Sequence, residues 1–260
     1  MNKIRTAVIL CGGKGTRLGS LGEKLPKTLV KIQGKEILWY ILKSLKNNNF
    51  NHVILPIGHK GSLIKKFLKK NKQLFKNIEL IETGQNTNIG KRIFMIKDKI
   101  KSANFLLLNG DAIFNFNINK IFLNHLVKNK DLTFISGETT YPYGTVGVLK
   151  NKVIDFNRNL IYEAVRVRDK ENYTAYNYTG MSIIKTRKLI DNKNKYIYSS
   201  NFEMDFFPSF IKKYETNLVK LSGFWHSIDN MKDISAVNDK KNFKKKFISL
   251  RKIKKKLLAS

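Results

Sequence analysis

Short apolar runs alternate with segments of helical periodicity along the first half of the chain. The run TAVILC at 6–11 is typical of a buried strand, and apolar residues recur at helical spacing through 37–48. Alternation of this kind indicates βαβ units, and therefore an α/β fold with a Rossmann-like, mostly parallel sheet flanked by helices. Right-handed crossovers then place the strand ends along one edge, where open α/β sheets bind their ligands. The same pattern predicts strands at 52–58, 78–83 and 104–111, and helices at 62–71 and around 90–101.

The pattern changes after about residue 137. Shorter strands are predicted from GTVGVLKN, KVIDFN and YNYTGMSII, with fewer helices between them. No glycine- or proline-rich linker precedes this region, so we interpret it as an α+β C-terminal extension of the same sheet. We therefore expect one domain over 1–240, with a first part at 1–136 and a second part at 137–240, followed by a basic tail at 241–260.

Composition favours a cytoplasmic protein without a nucleic-acid partner. The chain of 260 residues has an ordinary hydrophobic content of 42% and a formal net charge of +31. It has no apolar run of membrane-spanning length, and its single cysteine, Cys11, falls inside a predicted strand. The charge invites a nucleic-acid hypothesis. However, lysine, asparagine, isoleucine and phenylalanine are all over-represented, which indicates codon bias. Codon bias, together with the binding of small substrates that carry phosphate, is therefore the favoured explanation of the positive charge.

The tail carries much of the basic charge. Ten basic residues lie between Lys240 and Lys256, with no acid among them. Phe243, Phe247 and Leu250 recur near one helical face there, which is typical of a basic amphipathic helix. Such a helix either lies weakly on an acidic membrane surface or packs on its own protein, and packing is the favoured interpretation. The sequence leaves the oligomeric state open, a homo-oligomer included.

A glycine-rich turn follows the first predicted strand and reads GGKGTRL at 12–18. Such a turn between a strand and a helix lets backbone N–H groups approach phosphate oxygens. No glycine–lysine pair has the spacing of a P-loop, and the dinucleotide fingerprint lacks its third glycine because Leu18 stands there. The remaining pattern is G-G-x-G-T-R-L with a downstream pair, Pro26 and Lys27.

This pattern resembles the sugar-1-phosphate nucleotidyltransferases, which make NDP-sugars from an NTP and a sugar 1-phosphate. The resemblance extends to about residue 240 and is greatest to the glucose-1-phosphate cytidylyltransferases. It implies a glycosyltransferase-A-like nucleotidyltransferase fold, with nucleotide bound by the first part and sugar phosphate by the second, in the synthesis of a surface polysaccharide precursor. The resemblance is also carried by the stretches GKEILWYILKSL, GHKGSLIKKF, ETGQNTNIGKRI, LLNGDAIFNFNI and GFWHSIDNMKD.

By this resemblance, an oxygen of the sugar phosphate attacks the α-phosphorus of the NTP, here CTP, and pyrophosphate leaves. Catalysis of such a step depends on positioning and positive charge. Arg17 has the planar fork that suits the leaving phosphates, and Lys27 is expected against the α-phosphate or the attacking phosphate. Plain surface charge is the alternative for both. The implied nucleotide-binding residues are Leu10, Gly12, Gly13, Lys14, Gly15, Thr16, Gln85, Thr87 and Gly90.

Two acidic residues are candidates for a metal site in a chain that has only 19 acids. Asp111 follows the apolar run FLLLNG and is expected at the end of a buried strand, at the ligand edge of the sheet. Asp229 follows another aromatic and apolar stretch. The resemblance pairs these two as ligands of Mg²⁺, which needs only two protein carboxylates. The alternatives are a turn aspartate at 111 and a helix N-cap at 229.

The chain departs from the family in the part that is expected to bind the sugar phosphate. It lacks the Glu-Lys-Pro motif whose lysine commonly binds this group, and Arg158 is the cation that would replace it. The departure leaves two alternatives open: the same reaction with GTP and heptose 1-phosphate or another acceptor, and an inactive nucleotide-binding module. The basic tail leaves a third, a nucleic-acid or membrane-surface binder. The other implied sugar-phosphate residues are Asn177, Thr179, Gly180 and Glu203, for which a simple helix acid is the alternative at 203.

Overall fold

The computed structural model describes residues 5–13, 18–140, 143–158, 160–168 and 172–238. The helices in these ranges are α1 (Ser20–Lys24), α2 (Ile37–Asn47), α3 (Gly61–Lys70), α4 (Ile89–Met95), α5 (Ile118–Val127), α6 (Thr186–Asp191), α7 (Phe202–Ile211) and α8 (Met231–Asn238). Single 3₁₀ turns lie at Lys27–Leu29, Lys97–Lys99 and Lys193–Lys195. The strands are β1 (Thr6–Leu10), β2 (Lys31–Ile32), β3 (Lys35–Glu36), β4 (His52–Ile57), β5 (Ile78–Glu82), β6 (Asn104–Asn109), β7 (Ala112–Phe116), β8 (Leu132–Ser136), β9 (Thr139–Thr140), β10 (Thr145–Leu149), β11 (Lys152–Asn157), β12 (Ile161–Tyr162), β13 (Ala164–Val167), β14 (Tyr173–Tyr176), β15 (Tyr178–Lys185), β16 (Thr216–Lys220) and β17 (Gly223–Ser227).

Seven strands form the main sheet, in the order β16-β8-β15-β6-β1-β4-β5. β1 lies between β4 and β6 and is parallel to both, and β4 is parallel to β5. β16 is parallel to β8, whereas β15 runs antiparallel to both of its neighbours. The prediction of an α/β fold with a mostly parallel sheet is therefore confirmed.

Helices cover both faces of the main sheet, and successive residues of β1 contact different layers. Ala7 and Ile9 pack in a core with residues of α2, α3, α5 and α8. Val8 packs in a second core with residues of α4, α6 and α7. Because side chains alternate between the faces of a strand, a strand covered on both faces needs apolar residues at nearly every position. This is why β1 and β4 appear in the sequence as almost unbroken apolar runs.

The strand predicted at 104–111 ends earlier in the structure. β6 stops at Asn109, and the chain turns through a two-residue corner that contains Asp111 before β7 begins. β7 then pairs antiparallel with β17 outside the main sheet. Two smaller differences occur elsewhere: Cys11 lies one residue beyond β1, and α4 ends at Met95 instead of continuing to about residue 101.

The second part of the chain enters the main sheet only in part. β15 and β16 join it, as a continuation of the same sheet requires. The pairs β10–β11, β9–β12 and β13–β14 lie apart from it, so the expectation is wrong for these six strands. The physical reason is that an apolar pattern can identify a strand without specifying which strand it pairs with.

The tail at 241–260 lies outside the described residues, as do Asp239 and Lys240. None of the helices in the described ranges has both the length and the apolar composition needed to cross a bilayer.

His125 of α5 is buried against the main sheet. Its Nδ1 lies 2.8 Å from Thr133 Oγ1, and its Nε2 lies 3.0 Å from Asn104 Oδ1. Burial, with a smaller contribution from the charge of Lys185, lowers the pKa of His125 from 6.5 to about 4, and the carboxylate of Asp131 opposes this shift. Since the unfolded chain takes up a proton near pH 6.5 and the folded protein does not, stability is lost as the pH falls through this window.

We expect the wild type to lose about 1–2 kcal/mol more stability between pH 7.5 and pH 5 than His125→Gln, which cannot take up this proton. The free energy of urea unfolding, measured for both proteins at both pH values, tests the prediction. The comparison uses the change with pH, so a lower stability of the variant at pH 7.5 does not affect it. An equal loss in the two proteins would contradict the expectation.

Candidate active site

The parallel strands end at one edge of the main sheet, and a cleft of about 550 Å³ lies there. Its walls come from the turns after β1 and β6, the loop after β5 and the 3₁₀ turn at Lys27–Leu29. An open α/β sheet commonly binds its ligand at this edge. The cleft contains seven of the residues predicted from the sequence: Leu10, Gly12, Gly13, Lys27, Gln85, Thr87 and Asp111.

Lys27 lies between two carboxylates. Its Nζ is 2.8 Å from Asp111 Oδ2 and 2.9 Å from Asp229 Oδ1. Burial alone would lower the pKa of Lys27, but the two carboxylates together outweigh burial and raise that pKa above its ordinary value. The ammonium group therefore stays charged and offsets one of the two negative charges. The structure thus brings together residues that are 84 and 202 positions apart in the sequence.

The β7–β17 pair carries Asp229 to this position. Ser227, at the end of β17, pairs with Ala112, and the next amide, that of Ile228, donates to the Asp111 carbonyl at 2.8 Å. The Ser227 hydroxyl donates to Asp229 Oδ2 at 2.8 Å. The backbone and one side-chain hydroxyl therefore fix the second carboxylate relative to the first.

The cap of α8 is supplied by Asn230, which excludes the N-cap alternative for the Asp229 carboxylate. Asn230 Oδ1 accepts hydrogen bonds from the amides of Lys232 and Asp233, at 2.8 and 3.3 Å. The Asp229 amide is bonded in turn to Asp233 Oδ2 at 2.7 Å. The Asp229 carboxylate itself accepts hydrogen bonds from Lys27 and Ser227.

The two carboxylates suit a hard divalent cation. Asp111 and Asp229 offer oxygen ligands within reach of one ammonium group. Mg²⁺ commonly takes one or two carboxylates and keeps several waters, whereas structural zinc needs four nitrogen or sulfur ligands. In the part of the chain that the structure describes, no cluster of three or more His, Cys, Asp or Glu could hold a metal. The donor set therefore fits Mg²⁺.

Arg92 of α4 is a cleft residue that the sequence analysis missed. Only 4% of its surface is exposed, and burial lowers its pKa. The guanidinium donates to Thr83 Oγ1 at 2.5 Å, to the Gly12 carbonyl at 3.1 Å and to the Gln85 carbonyl at 3.3 Å. Asn88 begins α4 by accepting the Lys91 amide at 2.7 Å. Arg92 therefore connects the glycine turn after β1 to the loop after β5.

Two glycines make room for this guanidinium. A Cβ atom on Gly12 would overlap it, and a Cβ on Gly58 would come within 2.5 Å of Nη1. Gly13 differs, because no heavy atom of a described residue lies within 4 Å of the place that its Cβ would take. Gly84 follows β5 with a φ of +88°, which favours glycine. A glycine shortly after each of three neighbouring strands is the sequence signal that could have indicated a buried side chain here.

Gly90 makes a close packing contact, and its expected nucleotide-binding role stays a prediction. It does not line the cleft, and a Cβ atom on it would overlap the Tyr196 carbonyl oxygen. The structure therefore gives Gly90 a packing role, in which α4 approaches the chain closely at Tyr196. Four further predicted residues, Lys14, Gly15, Thr16 and Arg17, lie outside the described residues.

Gly180 and Glu203 lie next to Asn109, a second cleft residue that the sequence analysis missed. Gly180 has a φ of +73°, and a Cβ on it would come within 2.6 Å of Asn109 Nδ2. Partial burial raises the pKa of Glu203, the hydrogen bond with Asn109 opposes this shift, and the negative charge of Asp111 adds to it. The structure therefore brings a third acidic side chain within electrostatic reach of Asp111. Asp111, Lys27 and Asp229 are here called the Lys27 cluster.

The other residues expected to bind sugar phosphate make structural contacts or lie apart. Thr179 is buried, and its hydroxyl donates to the Ile135 carbonyl at 2.7 Å. Asn177 Nδ2 donates to the Gly137 carbonyl at 3.0 Å. Arg158 follows β11, is exposed and does not line the cleft. A sugar-phosphate role for these three residues stays a prediction.

The profile of the nucleotidyl transferase family matches residues 6–240 of this chain. A probable glucose-1-phosphate cytidylyltransferase of Bacillus subtilis is 29% identical over 252 residues, covering 89% of this chain and 94% of that protein. HddC from Yersinia pseudotuberculosis superposes with a TM-score of 0.67 at 22% identity, covering 90% of this chain and 98% of that one. A structure of HddC complexed with GMP-PN gives a TM-score of 0.65.

The structural likeness supports the fold, and the family profile extends over nearly all of the residues that form it. The chain therefore belongs to the nucleotidyl transferase family and is a nucleotidyltransferase.

Proposed function

We propose that this nucleotidyltransferase joins CTP and glucose 1-phosphate to give CDP-glucose and pyrophosphate, for the synthesis of a surface polysaccharide precursor. The observation that carries the proposal is the Lys27 ammonium held between Asp111 and Asp229 at the cleft. Similarity to glucose-1-phosphate cytidylyltransferases of Bacillus subtilis and Salmonella typhimurium supports the choice of substrates. In this reaction an oxygen of the sugar phosphate bonds to the α-phosphorus, and the bond from that phosphorus to pyrophosphate breaks.

Lys27 supplies positive charge where the reaction brings two phosphate groups together. Such crowding of negative oxygens is the main barrier to phosphoryl chemistry, and fixed cations lower it. Asp111 and Asp229 would hold Mg²⁺, which when bound adds a second positive charge beside the phosphates. Because both carboxylates are tied to the backbone through the β7–β17 pair, the charges are in position before the substrates arrive.

The nucleotide base is proposed to bind between the glycine turn and the loop after β5. Gln85 and Thr87 line this end of the cleft and offer donors and acceptors to a pyrimidine edge. Arg92 fixes the two walls relative to each other through the carbonyls of Gly12 and Gln85. A pocket that is formed in advance loses less conformational entropy on binding, so this contact supports affinity without touching the base.

The sugar is proposed to bind beside Glu203 and Asn109. Both lie close to Asp111, so a sugar placed there would have its phosphate near Lys27. The carboxylate and amide groups of these two residues can accept and donate hydrogen bonds to sugar hydroxyls. The cation that replaces the missing family lysine stays a prediction, with Arg158 as the candidate.

A second candidate is the same transfer with GTP and heptose 1-phosphate. It is favoured by the structural likeness to HddC, a protein that has been solved in complex with GMP-PN. The two candidates differ in the base and in the sugar but use the same Lys27 cluster.

A matrix of substrates tests the proposal. The purified chain is incubated with Mg²⁺, one of CTP, GTP, UTP or dTTP, and a panel of sugar 1-phosphates, and pyrophosphate release is measured. We expect the highest kcat/KM with CTP and glucose 1-phosphate, and a loss of about 100-fold or more in Asp111→Asn. The highest value with GTP and heptose 1-phosphate would select the second candidate. No release with any pair would reject the transfer and leave an inactive nucleotide-binding module.

Replacing Lys27 should strengthen divalent binding in the absence of substrates. The ammonium occupies the two carboxylates that a cation would bind, so Lys27→Met leaves them free for the metal. We expect Mn²⁺ to bind roughly tenfold more tightly, since one charge–charge contact near a protein surface is worth ~1–4 kcal/mol. Titration followed by electron paramagnetic resonance measures the affinity, and Lys24→Met, at an exposed lysine, is the control. Equal or weaker binding in Lys27→Met would argue against a shared site.

Gly12→Ala and Gly13→Ala form a matched pair that tests the Arg92 contact. The added methyl group overlaps the guanidinium at Gly12, whereas at Gly13 it meets no atom in the part of the chain that the structure describes. We expect Gly12→Ala to lower the free energy of unfolding by about 1–3 kcal/mol and Gly13→Ala by less than about 0.5 kcal/mol. Urea unfolding of the nucleotide-free proteins measures both values. Equal stability of the two variants would show that Arg92 can move away without cost.

A further inference from the structure

The edge of the main sheet opposite the cleft is formed by the segments next to the strand ends there. Backbone hydrogen bonds join these segments side by side. The Lys185 amide donates to the Asp131 carbonyl at 2.9 Å, the Asp131 amide to the Glu215 carbonyl at 2.8 Å, and the Val53 amide to the Asn77 carbonyl at 3.0 Å. β15 ends at this edge, where its neighbours begin, because it runs antiparallel to them. The far edge is here defined as residues 46–51, 69–77, 95–103, 127–131, 185–188 and 211–215.

The far edge is strongly basic. Its six segments contain 15 basic and three acidic residues, whereas the whole chain has 50 and 19. Codon bias explains many lysines, but it does not explain why acids are so few at one edge. The three acids are themselves paired with lysines of the same edge, in the pairs Lys97–Asp98, Lys130–Glu215 and Lys185–Asp131. The far edge therefore carries a net charge of +12.

Exposed apolar side chains lie among these lysines. Met95, Val127 and Ile211 are the last residues of α4, α5 and α7, and they are 45%, 86% and 49% exposed. Each of them is followed by a lysine within two residues. Proteins that lie on a bilayer surface use this combination, in which basic groups contact the headgroups and apolar side chains enter the boundary with the acyl chains.

We propose that the far edge docks on the surface of an anionic lipid bilayer. Charge complementarity favours this partner, because an anionic leaflet attracts lysines that lie within a Debye length of it. Val127 and Ile211 would enter the interfacial layer. The cleft lies at the opposite edge of the main sheet, so the docked protein keeps it open to phosphorylated substrates from solution. The proposal concerns location and is independent of the proposed reaction.

The same residues disfavour a nucleic acid as the partner. Of the 15 basic residues, 14 are lysines, whereas the planar fork of arginine is the group best suited to nucleic-acid recognition. The ring of Tyr214 is covered by the ammonium groups of Lys188 and Lys213, which lie 4.6 and 5.2 Å from its centroid, so it does not offer a free face to a base. The exposed apolar side chains also have no partner on a phosphate backbone.

Two charge-matched variants of the full chain test the role of the lysines. The far-edge variant replaces four exposed lysines with glutamine: Lys72→Gln, Lys76→Gln, Lys101→Gln and Lys128→Gln. The control variant makes the same change of charge at four exposed lysines outside the far edge: Lys24→Gln, Lys31→Gln, Lys150→Gln and Lys152→Gln. All eight side chains are exposed, so far-UV circular dichroism should match that of the wild type.

Binding is measured by sedimentation with vesicles of equal parts phosphatidylcholine and phosphatidylglycerol. We expect the affinity to fall roughly tenfold or more in the far-edge variant and less than about threefold in the control variant, since each lysine near an anionic surface contributes on its own. Binding should also weaken as the salt concentration rises. A wild type that does not bind these vesicles, or equal losses in the two variants, would overturn the proposal.

A third variant tests the apolar contact without changing the charge. Val127→Ser with Ile211→Ser should weaken vesicle binding roughly threefold or more, because less apolar surface is removed from water, and should leave binding to single-stranded DNA unchanged. Unchanged vesicle binding in this variant would overturn the proposal, and tighter binding of DNA than of vesicles would point to a nucleic acid instead. Loss of vesicle binding on deletion of 241–260, with the far-edge variant binding like the wild type, would assign the contact to the tail and equally overturn it.

Discussion

One ammonium group held between two carboxylates determines the geometry of the candidate site. Lys27 comes from a 3₁₀ turn, Asp111 from the corner after β6 and Asp229 from the end of β17. Each group is partly buried, so each would be costly without the others, and this couples three distant segments more firmly than an exposed ion pair could. The β7–β17 pair fixes the spacing of the carboxylates, because the two strands are paired and the Ile228 amide donates to the Asp111 carbonyl.

The sequence predicted the main sheet well, because strands covered on both faces leave a strong signal. β1, β4 and β6 are apolar at nearly every position, and each precedes a polar or glycine-rich turn. The position of Asp111 followed from this pattern alone. Asp229 could be paired with it only through family resemblance, since no local pattern shows that β17 would run beside β7. Long-range pairing of this kind depends on the folded sheet and not on spacing.

Other parts of the site depend on packing that the sequence does not display. Arg92 is buried because three loops offer it oxygen acceptors and glycines leave space for it, and no single stretch of sequence contains these features. Gly90 is a similar case, since its close contact with Tyr196 could not be inferred from the motif in which it stands. The strands β10 and β11 were recognisable, but their place outside the main sheet was not, because an apolar pattern does not specify which strand it pairs with.

Net charge and local charge lead to different conclusions about the ligand. A chain with +31 attracts any polyanion, including nucleic acid. Yet Asp111 and Asp229 share Lys27 at the cleft, and the charge of Asp111 also acts on Glu203, although the chain has only 19 acids. These carboxylates repel a bare polyanion and favour one that arrives with its own divalent cation, which a nucleoside triphosphate does. The acids of a basic protein thus supply selectivity at the cleft, whereas its many lysines supply only attraction.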